Sequence, residues 1–269
     1  MRLLTALAVA ATATAQTSTV TSEYVDPITG FTFQSYATNS YRFGLILPSS
    51  NPATDLIAQI VGPLNTDGDG WVGIDFGSSM IGPLLLVAWP TGDPSSPVIA
   101  SPRQAHGKSP DLVHVYDNHQ VEASLIPKGT FVNTTHITAT ILCRGCVNSD
   151  SFDPLSDSGQ FGYAYSVRSV DTPGSKDSRL SSHSPDGARG FFGVHIPGAR
   201  SDDFATYAQA AVPVASSTGG PTTSGGSGAT GTTGGVAATG TKPSGAKERK
   251  SGVLGLAFAG VVAAMWAMI

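Results

Sequence analysis

Ten short stretches rich in β-branched, aromatic and leucine residues follow one another between Thr32 and Ile196, each closed off by Gly, Pro, Asn, Asp or Ser. They cover 32–36, 41–47, 55–61, 71–76, 84–89, 112–116, 121–126, 136–142, 161–167 and 191–196. Runs of this length suit strands, and no stretch of 3.6-residue apolar spacing separates them as crossover helices would require. The succession predicts an all-β fold, an antiparallel β-sandwich of immunoglobulin-like type. One short C-terminal helix is expected over 203–211, with Ser201-Asp202 as its start signal.

The ends carry different patterns. Met1-Arg2 precedes the apolar stretch 3–10 and the small-x-small triplet Ala13-Thr14-Ala15, so residues 1–15 read as a signal peptide and Gln16 as the mature start. Residues 216–245 are almost wholly Ser, Thr, Gly, Ala and Pro, a composition that cannot bury a core. The sandwich is therefore assigned to 16–211 and a flexible stalk to 212–245. Residues 246–269 hold a basic spacer, Lys247-Glu248-Arg249-Lys250, and an apolar run from Val253 to Ile269. That run falls short of the roughly 20 residues of a membrane span. With the small residues Ser244-Gly245-Ala246 before it, it reads as a GPI-anchor signal with Ser244 as the attachment point. An extracellular, surface-tethered protein on the outer leaflet is the expectation.

Charge narrows the partners. Residues 16–240 contain ten Lys and Arg against eighteen Asp and Glu, a net charge of −8, which argues against nucleic acid or an anionic membrane surface as ligand. Asn133-Thr134-Thr135 is the single N-glycosylation sequon. Cys143 and Cys146 are the only cysteines. On a secretory route they read as a local disulfide, because a zinc site would need two more ligands than this pair supplies.

Few residues advertise chemistry. Asn65-Thr66-Asp67-Gly68-Asp69-Gly70 resembles the start of a calcium loop, but the position of the closing carboxylate is Phe76, so a tight turn is expected. If Asp117-Asn118 were a two-residue hairpin turn, His114, Tyr116 and His119 would share one face, best read as a solvated hairpin face without a third metal ligand. No Gly-x-Ser-x-Gly nucleophile motif occurs, and Gln16 at the mature terminus does not fit a copper monooxygenase with an N-terminal histidine ligand. Met80 is the lone methionine between the two terminal signals, and His183 lies in Ser181-Ser182-His183-Ser184-Pro185-Asp186-Gly187. Taken alone, Met80 reads as gap-filling core and His183 as a loop histidine.

The segment Trp71-Val72-Gly73-Ile74-Asp75-Phe76-Gly77-Ser78-Ser79-Met80, with Leu84-Leu85-Leu86-Val87-Ala88-Trp89-Pro90 after it, resembles the haem-binding segment of the cytochrome domain of fungal cellobiose dehydrogenases, a DOMON-like iron reductase domain. Asp26-Pro27-Ile28-Thr29-Gly30-Phe31, Cys143-Arg144-Gly145-Cys146, and His183 followed by Gly190-Phe191-Phe192 are similar to it as well, so the likeness spans about 19–207. The resemblance implies a β-sandwich holding one haem b, with Met80 and His183 as axial ligands. His106, His114, His119, His136 and His195 are the competitors for the second position, and Arg200 is a candidate partner for a haem propionate. Ligation on both sides leaves no open position on the iron, which suits one-electron transfer.

The resemblance therefore implies a surface-anchored b-type cytochrome that relays single electrons. Its partner would be a flavin dehydrogenase, a copper monooxygenase, or a small redox molecule such as a quinone or ferric complex; ferric reductase activity would differ only in acceptor. The family's flavin domain has no counterpart in 212–269, so sugar oxidation is not expected of this chain. The alternative is a haem-free, GPI-anchored carbohydrate- or surface-binding module on the same sandwich.

Overall fold

The run Leu84–Pro90 has no polar side chain at alternate positions, so a strand made from it needs apolar cover on both faces. The computed structural model, which describes residues 21–183 and 188–213, provides both. The strands are β1 (Ser22–Val25), β2 (Thr32–Ala37), β3 (Arg42–Pro48), β4 (Leu56–Pro63), β5 (Trp71–Asp75), β6 (Leu84–Pro90), β7 (Val98–Ala105), β8 (Val113–Val115), β9 (Glu122–Leu125), β10 (Phe131–Val132), β11 (His136–Arg144), β12 (Ser158–Ser166), β13 (Arg189–His195), β14 (Arg200–Ser201) and β15 (Val212–Pro213). Among the described residues the one α-helix, α1 (Phe204–Ala208), falls inside the expected stretch but ends sooner, its backbone passing into turns after Gln209.

Two sheets form the sandwich. One runs β1-β2-β3-β4-β11-β9-β15, with β10 on β11 and β14 on β3; the other runs β13-β12-β5-β6-β7-β8. All pairings are antiparallel except the two-residue β14–β3 pair. Between the sheets lies the main core, built from alternate residues such as Leu45, Ala58, Ile60, Val72, Ile74, Leu86, Phe161 and Phe192. The intervening residues point the other way, and each sheet's outer face is also buried. Phe31, Phe33, Ile46, Ile57, Leu142 and Phe204 cluster outside the first sheet, and Trp71, Leu85, Val87, Trp89, Ile99 and Leu180 outside the second. Double cover is the reason β4 and β6 read as continuous apolar runs rather than alternating ones.

Two sequence expectations change. Val98–Ala105 is not among the ten stretches read as strands, and Pro102 within it is unusual for a paired strand. It is β7, paired with β6 over seven positions, and Pro102 is tolerated because three-residue β8 covers little of its other side. Asp117-Asn118 makes no hairpin. The chain there leaves β8 in one sheet and enters β9 in the other, so Tyr116 and His119 are not cross-strand partners. The N-terminal signal, the Gly/Ser/Thr stretch from 214 on, the anchor signal and Ser244 lie outside the described residues. Among those described, no helix is long and apolar enough to cross a membrane.

Candidate cofactor site

Side chains alternate along a strand, so Trp71, Gly73 and Asp75 of β5 share the outer face of the second sheet with Leu85, Val87 and Trp89 of β6 and Gly162 and Ala164 of β12. The chain between β12 and β13 crosses this face as a roof. Three side chains rising from the sheet hold it there. Trp71 donates its Nε1–H to both the carbonyl and the hydroxyl of Ser181, each at 3.0 Å. Trp89 donates Nε1–H to the Pro173 carbonyl at 2.9 Å. Arg103, only 1% exposed, donates Nη2–H to the Lys176 and Ser178 carbonyls at 2.6 and 2.8 Å, and Nε–H to Ser101 Oγ at 2.8 Å. Backbone carbonyls taken out of water need such donors. Burial lowers the Arg103 pKa to about 10, which leaves it charged at neutral pH.

Between floor and roof lies a cavity of about 750 Å³, a size usual for small-molecule and cofactor sites. Its floor is made from small residues, Gly73, Gly162 and Ala164, and its walls include Leu85, Val87, Val113 and Leu180. Met80 and His183 both border it. Met80 sits in the connection between β5 and β6, packed against the Trp71–Leu85–Val87 cluster. Ile81 bridges to Ala105, and the Gly82 amide donates to the Ala105 carbonyl at 3.0 Å, so β7 fixes this turn. Gly82 adopts φ 103°, a conformation glycine favours.

His183 is half-buried, its ring edge-on to Trp71 with centroids 6.5 Å apart and its Nδ1 3.4 Å from Arg189 Nη1. Burial first, then the Arg189 charge, lowers its pKa and favours the neutral imidazole, the form that ligates metal. All six histidines are among the described residues, and His183 alone borders the cavity. His106 and His114 are exposed with ring centroids 5.7 Å apart; His119 and His195 are exposed, and His136 contacts the Thr135 hydroxyl at 2.9 Å.

The remaining sequence candidates sit elsewhere. Arg200 is on the first sheet, donating to the carbonyls of Pro48 and Pro154, so it does not reach the cavity; the cations bordering it are Lys108 and Arg189. Arg200 was chosen by chain proximity to β13, but β13 and β14 belong to different sheets. Cys143 and Cys146 form a disulfide buried in the main core. Gly145 between them has φ 66°, and a Cβ there would meet the Gln120 carbonyl at 2.3 Å. Asn133 is exposed, its Oδ1 accepting from Thr135 and His136. Residues 65–70 form the expected turn, Asn65 Oδ1 accepting from the amides of Asp67 and Asp69 at 2.9 Å. Sequence reasoning missed Trp71, Trp89 and Arg103 as roof supports and Asp75 as a cavity residue, since only the fold shows what lies opposite them.

A β-sandwich whose outer sheet face carries a roofed, largely apolar cavity bordered by a thioether and an imidazole is of the class built to hold a cofactor. The chain belongs to the family of the cytochrome domain of cellobiose dehydrogenase, whose sequence pattern it matches over residues 24–206. Among solved structures it is similar to the cytochrome domain of Myriococcum thermophilum cellobiose dehydrogenase, at 24% identity and a TM-score of 0.63, covering 74% of this chain and 100% of that one. It is also similar to the cytochrome b domain of pyranose dehydrogenase from Coprinopsis cinerea, at 26% identity and a TM-score of 0.59, covering 70% and 94%.

The protein is thus a haem b electron-transfer module. The haem-free reading is set aside. The cavity residues fit a flat, largely apolar macrocycle with acidic side arms. A Cβ on Gly162 would stand 3.0 Å from the Phe191 ring and 3.2 Å from Asp75 Cβ, and one on Gly73 3.2 Å from Val87. Glycine at those positions keeps the floor low. Lys108 and Arg189 supply positive charge for carboxylates.

Proposed function

We propose that Met80 and His183 ligate the haem iron from either side and that the chain relays single electrons at a cell surface. Haem b, when bound, supplies a one-electron couple. What supports the ligand pair is that the two residues singled out in the sequence, 103 positions apart, border one cavity that no other histidine borders. The thioether of Met80 favours the ferrous state and raises the potential. Trp71 and Arg103 hold the His183 chain on the sheet, and burial, with the Arg189 charge second, lowers the pKa of the imidazole. Leu85, Val87, Val113 and Leu180 exclude water from the cavity walls. Held by Met80 and His183, the group would supply one-electron chemistry rather than an open site for substrate, so the partner would be a redox protein or small redox molecule. A flavin dehydrogenase as donor and a copper monooxygenase, quinone or ferric complex as acceptor meet that requirement.

The tether rests on the sequence signals: a leader over 1–15, a stalk over 212–245 and a GPI signal over 246–269 with attachment at Ser244. Asn133, exposed in its turn, suits glycosylation on the secretory route. The absorption spectrum of the secreted domain before and after dithionite tests the haem site. Sharp α and β bands on reduction are expected, lost or converted to a high-spin form in Met80→Ala and His183→Ala. Either variant keeping the normal low-spin spectrum refutes the ligand assignment. Phosphatidylinositol-specific phospholipase C should release the full-length protein from membranes; a protein that stays bound contradicts the anchor.

A further inference from the structure

Asp75 is the one acidic residue on the cavity floor. It is 7% exposed, closes β5, and borders the cavity with Gly73 and Gly162. Its Oδ1 has no hydrogen-bond partner, alone among buried side-chain oxygens and nitrogens of the described residues. A Cβ on Gly77 would lie 3.4 Å from that oxygen, and a Cβ on Gly162 3.2 Å from Asp75 Cβ, so the carboxyl fills a close-fitting niche. A carboxyl in such a place is costly when ionised and unpaired.

The surroundings offer no compensating cation. β6 and the 76–83 connection carry no charged side chain at all. From β12 the titratable groups are Tyr163 and Tyr165; from β13, Arg189, which faces His183 Nδ1. From β7, Arg103 is committed to Ser101, Lys176 and Ser178. Lys108 and His183 border the cavity from the remaining sides, and neither bonds Asp75. Desolvation raises the carboxyl's pKa to about 7, with the Gly77 amide acting the other way. Beyond that amide, the group left to offset its charge is whatever occupies the cavity.

We propose, resting on the haem reading above, that Asp75 is a proton site coupled to electron transfer: its carboxylate takes up one proton from solvent as one electron enters the cavity group from a one-electron reductant, and releases that proton when the electron leaves. The balance is one electron and one proton in each direction, so the net charge inside the cavity stays constant. The physical drive is reciprocal. A carboxylate stabilises the more positive, oxidised centre, and loss of one positive charge on reduction removes that support.

The test uses the haem-loaded, full-length secreted protein. Its reduction potential is titrated spectroelectrochemically between about pH 5 and 8, the range of a carboxyl raised by burial. In the wild type the potential should fall with rising pH, approaching the 59 mV per tenfold change in proton activity that one proton per electron requires. In Asp75→Asn the same range should be flat. Reduced-minus-oxidised infrared spectra should show a protonated-carboxyl C=O band in the wild type and none in the variant. A pH-independent wild-type potential, or an Asp75→Asn protein that retains the slope, overturns the proposal while leaving the haem assignment intact. A chain that takes up no haem overturns that assignment and this proposal together. If Asp75→Asn fails to hold haem, the wild-type infrared band decides: its presence supports the proton site and its absence refutes it.

Discussion

Replacing Arg103 by methionine would test whether the roof over the cavity is held from below. The guanidinium is buried, stacks 5.5 Å from the Trp89 ring, and joins two roof carbonyls, Lys176 and Ser178, to the hydroxyl of Ser101. Methionine keeps much of the stem's volume but leaves the Ser178 carbonyl without its donor, whereas the Lys176 carbonyl keeps the Ser101 hydroxyl as donor at 3.0 Å. Each buried acceptor left unpaired costs about 1–3 kcal/mol. Removing a desolvated charge offsets part of this, giving a net loss of about 1–2 kcal/mol for the one roof carbonyl left unpaired. The loss falls on the contact between roof and sheet rather than on the core between the sheets, because residues 172–178 are bonded to the outer face. His183 rides on the same segment. Apparent haem affinity scales with the fraction of molecules whose site is assembled, so docking reduced to about one molecule in ten weakens binding roughly tenfold. Haem loss to a scavenging apoprotein should accelerate accordingly, and limited proteolysis should cut within 167–188 while the main urea transition shifts far less. An Arg103→Met protein with wild-type haem retention and an uncut roof would refute the reasoning.

Other perturbations follow from the same contacts. Burial raises the Asp75 pKa from 3.8, its ordinary value, to about 7 when folded, so the folded state binds more protons between these limits and stability falls as pH rises through them. For the haem-free protein that loss amounts to about 4 kcal/mol at most; urea midpoints of Asp75→Asn should lack this decline, and parallel pH profiles for the two proteins would contradict it. Gly162→Val places methyl groups between the Phe191 ring and Asp75 on the cavity floor; haem uptake should drop at least tenfold with the far-UV spectrum unchanged, as measured by haem titration. Gly145→Ala forces a side chain onto a positive φ and against the Gln120 carbonyl; a destabilisation of about 2 kcal/mol or more in denaturant unfolding is expected. Trp71→Phe removes the indole donor to Ser181 and should cost about 1 kcal/mol of roof docking, seen as faster haem loss with an unchanged reduced spectrum.

The strands were legible because their chemistry is local. Trp71–Phe76, Leu84–Trp89 and His136–Leu142 are β-prone runs with turn residues at each end, and all three form strands. Val98–Ala105 was not legible, because Pro102 and its small polar neighbours give no local signal; its place in the sheet comes from pairing with β6. The false hairpin at Asp117-Asn118 has the same origin. Its dipeptide suits a tight turn, but whether the flanking strands pair with each other depends on what each buries against, and β8 and β9 go to different sheets. Arg200 misled for a related reason, since nearness in sequence to β13 does not survive the switch of sheet at 196–200.

By itself the sequence determined an all-β sandwich, the family, and two residues, Met80 and His183, as the pair to examine. Those are properties of short segments, and short segments keep their meaning wherever they are read. The cavity was decided only by tertiary structure. It exists because β5, β6 and β12 lie side by side in a register that aligns Gly73, Ala164 and Gly162 on one face, and because Trp71, Trp89 and Arg103 tie a segment some seventy to one hundred and ten residues away across them. Contacts over such separations have no local trace in composition or spacing, so the burial of Asp75, the loop position of Met80 and the lowered pKa of His183 became visible only when the sheet was assembled.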